Sequence, residues 1–411
     1  MFKKNYSNCI LAILVGLSLV IKLVLIARYK NLLTLGSDDI NYIKSAIVLA
    51  ERGTFTFHNY NEPTVFIMPL YPMFLASVFK IFGYGLASLQ IVRVIQAVLS
   101  CITIILVYLT AKFYFNKVTG LIAALLMAFY IPNIITVGYM LTETVFTMLL
   151  CLLIYLSLRF LSEPGYMKVT ILGLIWTAAT LCRPTVALYP ILFFFYLLVN
   201  FKMKVTQIIK YGAVMLAVFS IIMSPWWLRN YREYGEFIPL AASSGNPMLQ
   251  GTYVDYKQTP ENIVYYKLGR NAYETNRIEV SVAKDRIKAE LNRDFFGYIR
   301  WFILGKTFYL WNSAFYWKQF FGISRYFVLA HHYIILLGFL GIALLLFNKI
   351  HKYVLPISVI LYFNAVHCVY MAFDRYAFPL LPLLSVFSAY FIYTVYSLCK
   401  SFCAAVIKGS G

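Results

Sequence analysis

Charged residues are scarce in this chain of 411 residues: they make up 13% of it, and only 16 residues are acidic. Soluble domains carry about 25% charged residues, so a chain that is also 61% hydrophobic is not typical of a soluble protein. Several uninterrupted apolar runs reach the length of about 20 residues that a helix needs to cross a membrane. The alternating pattern of a membrane β-barrel is absent. The sequence therefore predicts an all-α, polytopic membrane protein.

Paired cysteines are also lacking. The seven cysteines are scattered, with no CxxC pair and no histidine at metal-ligand spacing, so neither structural zinc nor a disulfide framework is expected. The net charge of +20 would indicate a nucleic-acid partner in a soluble protein. Here it is explained by lysine and arginine at the inner ends of membrane helices, so no nucleic acid is expected.

The apolar runs predict about ten membrane spans, near residues 8–27, 88–111, 118–137, 142–160, 168–183, 185–201, 206–227, 327–347, 353–370 and 378–398. With Lys3 and Lys4 inside, every short inner loop is basic, including the one at Lys349, and both termini are cytoplasmic. An aromatic-rich part of residues 228–326 is expected to lie at headgroup level or, alternatively, to form an eleventh span. The expected total is therefore about 10–12.

We divide the chain into a transmembrane module at 1–230, an extracytoplasmic loop with interfacial helices at 231–326, and carboxyl-terminal transmembrane helices at 327–411. The module includes a first outer loop, 28–87, with an amphipathic run and a proline-broken apolar run at 63–82 that we expect to be interfacial. The two outer loops hold 13 of the 16 carboxylates. Any chemistry is therefore expected to face outward.

Asp38 and Asp39 follow the first span by a few residues. Either could cap a helix over residues 40–50, since a carboxylate complements the exposed N–H groups at a helix start. One would suffice for that task. Capping alone and capping combined with chemistry both remain open from these residues.

Four arginines lie where predicted spans meet the outer surface: Arg93, Arg183, Arg229 and Arg375. Arginine is costly near hydrocarbon, and outward arginines run against the positive-inside bias. Four of them predict a polar cavity in which at least two bind an anion, because guanidinium groups match phosphate oxygens bidentately. The alternative is an architectural role through ion pairs, for which Arg183 with Glu143 is the leading case.

Several short motifs occur in a particular order relative to the spans. They are Asp38-Asp39-x-x-Tyr42, Pro69-Leu70-Tyr71-Pro72, Arg93-x-x-Gln96, Thr142-Glu143, Cys182-Arg183-Pro184, Pro225-Trp226-x-x-Arg229-Asn230-Tyr231 and Arg375-Tyr376-x-x-Pro379. In this order the chain resembles the GT-C membrane glycosyltransferases, in particular the group of the protein O-mannosyltransferases and ArnT. The resemblance covers most of the chain.

The resemblance implies a glycosyltransferase that moves a hexosyl or pentosyl group from a polyprenyl-phosphate donor to a lipid, glycan or protein acceptor, with inversion. It implies a multi-pass protein in contact with membrane lipids, with its active site on the outer side. The chain is rich in Ile, Asn, Lys and Tyr, as proteins of AT-rich bacterial genomes often are, which favours a bacterial plasma membrane. Asp38 matches the first acid of the family's acidic pair, and Asp39 replaces a glutamate; these are the expected catalytic residues. Met68 stands where some members have a lysine, which leaves the phosphate to the arginines.

The expected substrate-binding residues are Tyr42, Arg93, Glu143, Arg183, Arg229, Arg375 and Tyr376. No metal ligand and no cofactor are assigned, although Asp38, Asp39 and Glu62 would supply oxygen ligands if a divalent ion took part. Since no large soluble segment follows the last apolar run, acceptor recognition by such a module is not expected. The competing interpretation is a transporter or flippase for a lipid-linked anion, against which the chain shows no duplicated halves.

Overall fold

The computed structural model describes residues 6–347 and 350–409, which are predominantly helical. Lys3, Lys4 and Lys349, on which part of the predicted topology rests, lie outside the described residues. The α-helices in these ranges are α1 (Tyr6–Tyr29), α2 (Asp38–Arg52), α3 (Leu70–Phe82), α4 (Leu86–Tyr114), α5 (Lys117–Ala128), α6 (Ile131–Ile135), α7 (Glu143–Ser162), α8 (Tyr166–Cys182), α9 (Tyr189–Phe201), α10 (Val205–Tyr234), α11 (Gly245–Gly251), α12 (Ala272–Arg293), α13 (Phe295–Arg300), α14 (Lys306–Trp311), α15 (Ala330–Leu346), α16 (Val354–Val369), α17 (Asp374–Ala377) and α18 (Leu381–Gly409).

Seven helical segments of the described chain are long and apolar enough to cross a membrane, and they match seven of the ten predicted spans. The span predicted near 118–137 is present as two helical pieces, because α5 and the segment Ile131–Gly138 meet at an angle of 63°. The remaining two are the apolar helices α8 and α15, each 17 residues long, which is at the short end of the spanning range. The all-α polytopic fold is thereby confirmed.

Helix α4 lies at the centre of the bundle and packs against α1, α5, α7 and α18. It buries a row of polar side chains as well as apolar ones, which distinguishes it from a helix that faces lipid. Gln96, for example, donates from Nε2 to the carbonyls of Val137 and Tyr139 and accepts from the Tyr71 hydroxyl. The bent segment after α5 is therefore held through its own free carbonyls.

The first outer loop carries α2 and α3, which pack against each other. Helix α2 begins at Asp38 and ends before Gly53, whose φ of +69° is a left-handed conformation that glycine adopts at no steric cost. The sequence predicted a helix over 40–50, and the observed helix is longer at both ends. Helix α3 begins after Pro69, so the apolar run predicted to be broken by proline is helical only in its second part.

The second outer loop contains α11–α14. Helices α13 and α14 are joined by a π-helical turn, Trp301–Gly305, and this run is not among the seven candidate spans of the described chain. Lys306 in α14 is fully buried and donates from Nζ to the carbonyls of Cys368 and Tyr370, where α16 ends. The loop is thus fastened to the outer end of a membrane helix, a few residues before Arg375.

Candidate functional site

The side chains of Asp38 and Asp39 lie in different environments. Asp39 is buried and faces its own loop: its Oδ2 accepts from the Leu35 amide at 2.8 Å, and its Oδ1 accepts from the Ser37 amide at 2.9 Å. The Thr34 hydroxyl also donates to Oδ2. These hydrogen bonds fold the turn that precedes α2. Asp39 therefore holds the loop in place, and Asp38 is the acid of the pair that remains available.

Asp38 belongs to a cluster of two carboxylates and two guanidiniums. Arg375 donates from Nη1 to Asp38 Oδ2 at 2.7 Å and from Nε to Glu143 Oε1. Arg183 donates from Nη2 to the same Glu143 oxygen at 2.5 Å. The predicted Arg183–Glu143 pair is therefore present, but Arg375 shares its carboxylate. We call these four residues the ion cluster.

The ion cluster is mostly removed from solvent. The Glu143 side chain has no exposed surface, and those of Arg375 and Arg183 are 9% and 14% exposed. Asp38, at 44%, is the exposed member. Since opposite charges balance within the cluster, the guanidiniums can be held at this depth without a net buried charge. Asp38 is therefore the member of the cluster that is most accessible to solvent.

Glu143, Arg183 and Arg375 each lie at or next to the end of a helix, which positions the side chain. Glu143 is the first residue of α7, where the positive end of the helix dipole favours a carboxylate. Arg183 is extended after α8, because the following Pro184 disfavours a helical conformation there. Arg375 lies in the four-residue helix α17, whose first residue, Asp374, is held by the indole of Trp317 and the hydroxyl of Ser313. Three separate helix ends therefore converge on one carboxylate.

Two guanidinium nitrogens of the cluster carry no hydrogen bond within the described chain: Nη2 of Arg375 and Nη1 of Arg183. Arg183 uses its Nε to donate to the Thr142 hydroxyl at 2.7 Å. Both arginines are fixed by their other nitrogens and retain donors for a further acceptor. This arrangement suits an anion with several oxygens, such as a phosphate.

The predicted tyrosines border the cluster. Tyr42 is buried in α2 and lies edge-on to Tyr71, with ring centroids 5.2 Å apart. Burial raises the pKa of the Tyr42 hydroxyl, while the positive charges of Arg375 and Arg183 act in the opposite direction. Tyr376 follows Arg375, and its ring stacks on that of His367 with centroids 4.6 Å apart. Both tyrosines are therefore neutral, rigid walls of the site.

Arg93 and Arg229 are not brought into the ion cluster. Arg93 donates to the carbonyls of Gly138 and Leu33 and to the Gln90 side chain, so its Nε and both Nη atoms are occupied. Arg229 donates from its Nη atoms to the carbonyls of Thr64 and Phe55. Each ties a membrane helix to the backbone of an outer segment. Their geometry is that of architectural arginines, which differs from the expectation of a phosphate contact.

The structure also brings in a residue that the sequence analysis missed. Lys318, in the second outer loop, donates from Nζ to the carbonyl of Leu32 at 2.7 Å, beside the turn that Asp39 folds. The adjacent Trp317 holds Asp374. Aromatic density marked this segment, but no local pattern indicated which outer loop it would contact.

No group of three histidine, cysteine or acidic side chains in residues 6–347 and 350–409 is arranged to hold a metal ion. Of the oxygen ligands considered from the sequence, Asp39 is committed to its turn. The four cysteines Cys101, Cys151, Cys182 and Cys368 are buried and free, and the remaining three are exposed and free.

The chain is similar to known membrane glycosyltransferases in both sequence and fold. Residues 62–228 match the family model of dolichyl-phosphate-mannose-protein mannosyltransferases. Among solved structures, ArnT from Cupriavidus metallidurans bound to undecaprenyl phosphate superposes with a TM-score of 0.58 at 12% identity, over 97% of this chain and 63% of that one. This chain is therefore similar in fold to the GT-C membrane glycosyltransferases. The resemblance inferred from the motifs is thereby confirmed.

Two structures from Archaeoglobus fulgidus are similar as well. The oligosaccharyltransferase AglB, in complex with an inhibitory peptide and a dolichol-phosphate, gives a TM-score of 0.59 at 15% identity over 98% of this chain and 52% of that one. The apo oligosaccharyltransferase gives 0.57 at 14% identity, over 99% and 52%. The chain thus spans between about half and two thirds of the length of these proteins. No curated protein sequence matches it.

Proposed function

We propose that this GT-C chain is a glycosyltransferase that moves a sugar from a polyprenyl-phosphate donor to a lipid, glycan or protein acceptor, with inversion, on the outer face of a bacterial plasma membrane. The observation that carries the proposal is the ion cluster. It combines a half-exposed carboxylate, Asp38, with two fixed guanidiniums that retain free donors. An acceptor hydroxyl and a leaving phosphate need these two kinds of group.

The proposed reaction is a single displacement. Asp38 takes the proton of the acceptor hydroxyl as its oxygen attacks the anomeric carbon, and the bond from that carbon to the phosphate oxygen breaks. The electron pair of the broken bond stays on the phosphate, whose charge grows. The free Nη2 of Arg375 and Nη1 of Arg183 donate to the phosphate oxygens and stabilise that charge where water is largely excluded.

Glu143 serves this reaction indirectly. By accepting from both arginines, it fixes the orientation of their remaining N–H groups before the donor binds, so little reorganisation is needed. Tyr42 and Tyr376 are proposed to border the sugar. We assign Asp39, Arg93 and Arg229 to positioning, because their polar atoms are committed to the loops around the site.

Charge along the spans supports the outward orientation. Lys112 and Arg159 lie in the last turns of α4 and α7, and Lys117 begins α5. Glu143, at the opposite end of α7, belongs to the ion cluster. By the positive-inside rule, the basic ends are cytoplasmic and the cluster is outside. The ArnT and AglB structures, which hold undecaprenyl phosphate and dolichol-phosphate, support a lipid-linked phosphate as donor.

The test is release of free undecaprenyl phosphate by the purified chain in lipid nanodiscs. A panel of undecaprenyl-phosphate hexoses and pentoses serves as donors, and lipid, glycan and protein fractions of a bacterial envelope serve as acceptors. Release that depends on an acceptor fraction and is lost in Asp38→Asn supports the proposal. Movement of the intact donor across a liposome membrane without bond cleavage would instead identify a flippase.

A further inference from the structure

The first outer loop contains a histidine that the proposed reaction has not used. His58 has a φ of +63°, a left-handed conformation that few non-glycine residues adopt, although histidine does so more often than most. Such conformations cost free energy and persist where the surrounding structure enforces them.

The backbone around His58 is anchored on both sides. The Ser45 hydroxyl, from α2, donates to the Thr56 carbonyl, and the Tyr60 hydroxyl donates to Asn41 Oδ1 at 2.6 Å. Asn41 and Ser45 lie on the helix that begins at Asp38. His58 lies midway between these two anchors, so it is held near the first turns of α2, the helix whose first residue is Asp38 of the ion cluster.

The imidazole itself is exposed and available. Its ring contacts the rings of Phe57 and Phe66, with centroids 4.5 and 4.8 Å apart, which fixes its plane. Neither ring nitrogen has a hydrogen-bond partner within the described chain. A neutral imidazole offers one donor and one acceptor, so it can bind a hydroxyl group in either direction.

The charge state of His58 suits this role. Desolvation lowers the pKa of the imidazole below its ordinary value, although the negative charge of Asp38 raises it somewhat. The other charged groups on the surrounding elements are Lys44 on α2, Glu62 in the loop, and Arg229, which holds the loop backbone. At neutral pH His58 is therefore uncharged and keeps a nitrogen lone pair.

We propose that His58 is an acceptor-binding residue: the lone pair of its neutral imidazole accepts a hydrogen bond from an acceptor hydroxyl other than the one that reacts, and so holds the acceptor beside Asp38. This rests on the proposed transferase function. It places the acceptor on the side of the first outer loop, while the arginines bind the donor phosphate on the other side of Asp38. Protonation of His58 removes the lone pair, so acceptor binding weakens as the pH falls.

The experiment measures undecaprenyl phosphate release against the amount of the active envelope fraction, at pH 7.5 and pH 5.5, in nanodiscs. His58→Asn removes the titrating ring, and asparagine also tolerates a left-handed φ. We expect its acceptor KM to be roughly 3- to 10-fold higher at pH 7.5, the size of one lost hydrogen bond, with the donor KM unchanged. In this variant the acceptor KM should no longer rise as the pH falls.

His332→Asn is the matched control, since His332 is an exposed histidine at the start of α15 whose Nε2 contacts the Asn312 carbonyl. It should keep the wild-type acceptor KM and its pH dependence. His58→Gly, which adopts the left-handed conformation freely, is a second variant should the asparagine lower the melting temperature. An unchanged acceptor KM and pH profile in both His58 variants overturns the inference alone. Absence of release by the wild-type chain overturns the transferase function as well.

Discussion

The shared carboxylate of the ion cluster leads to a sharp prediction for Glu143→Gln. The substitution keeps the shape of the side chain but removes the negative charge that Arg183 and Arg375 share. Arg375 would still have Asp38, but Arg183 would have only the neutral Thr142 hydroxyl and the ring of Phe146. Removing one partner of a buried ion pair lowers the free energy of unfolding by about 3–5 kcal/mol, because the other partner is left as an uncompensated buried charge. We expect destabilisation of that order, concentrated at Arg183.

The assay is thermal unfolding in detergent, with Glu163→Gln as the matched control. Glu163 also pairs with a cation, Lys168 at 2.7 Å, but its side chain is 79% exposed. Water screens that pair, so the control should melt as the wild type does. Equal melting temperatures for Glu143→Gln and Glu163→Gln would refute the account of the cluster.

A double variant tests whether the loss of stability in Glu143→Gln arises from the unpaired Arg183. Glu143→Gln combined with Arg183→Gln removes both members of the stranded pair and leaves Arg375 with Asp38. Its loss of stability should be clearly smaller than the sum of the two single losses, since partners in one network do not add. Simple additivity would mean that Arg183 and Glu143 do not interact energetically, in spite of their 2.5 Å contact.

Three further predictions concern the first two residues of α2 and the residue that precedes them. Asp38→Asn should abolish undecaprenyl phosphate release with little change in melting temperature, because Asp38 is half-exposed and Arg375 keeps its ion pair with Glu143. Near-normal turnover would exclude Asp38 as the base. Asp39→Asn should retain measurable release but destabilise the chain by about 1.5–3 kcal/mol in thermal unfolding, the size of a hydrogen bond to a charged group. Full loss of release in a stable protein would contradict this positioning role. Cysteine placed at the exposed Ser37, in a chain without its native cysteines, should react with a membrane-impermeant maleimide in intact cells; labelling only after permeabilisation would invert the topology.

Much of the membrane architecture could be predicted, because hydropathy and charge act locally. A run of apolar residues forms a helix wherever it enters the bilayer, and Gly53 and Pro69 mark helix boundaries through their own backbone preferences. The broken helix after α5 could not be foreseen in this way. It is held by Gln96, whose partners depend on how α4 packs.

The candidate site was predictable in composition but not in geometry. Glu143, Arg183 and Arg375 were expected at the outer edge, and the structure brings them together with Asp38. Arg93 showed the same local pattern, an arginine at an outer helix end, yet its partners are backbone carbonyls. Tertiary packing decides which backbone carbonyls are left without a hydrogen-bond donor and are therefore available to an arginine. Local sequence therefore could not distinguish an arginine that binds backbone carbonyls from one that pairs with carboxylates and keeps a free donor.

That distinction makes Arg375→Lys and Arg229→Lys the comparison that decides the donor site. Arg375 retains a free Nη2 beside Asp38, whereas both Nη atoms of Arg229 donate to backbone carbonyls. Lysine keeps the charge but loses the guanidinium fork, and a hydrogen bond to a charged group is worth about 1.5–3 kcal/mol. Arg375→Lys should therefore weaken binding of undecaprenyl phosphate at least about 10-fold. Arg229→Lys should leave binding unchanged and lower the melting temperature, since it releases the Phe55–Thr64 loop. Unchanged affinity in both variants, and in Arg183→Lys, would end the anion-site hypothesis, because no guanidinium of the cluster would then contact the phosphate.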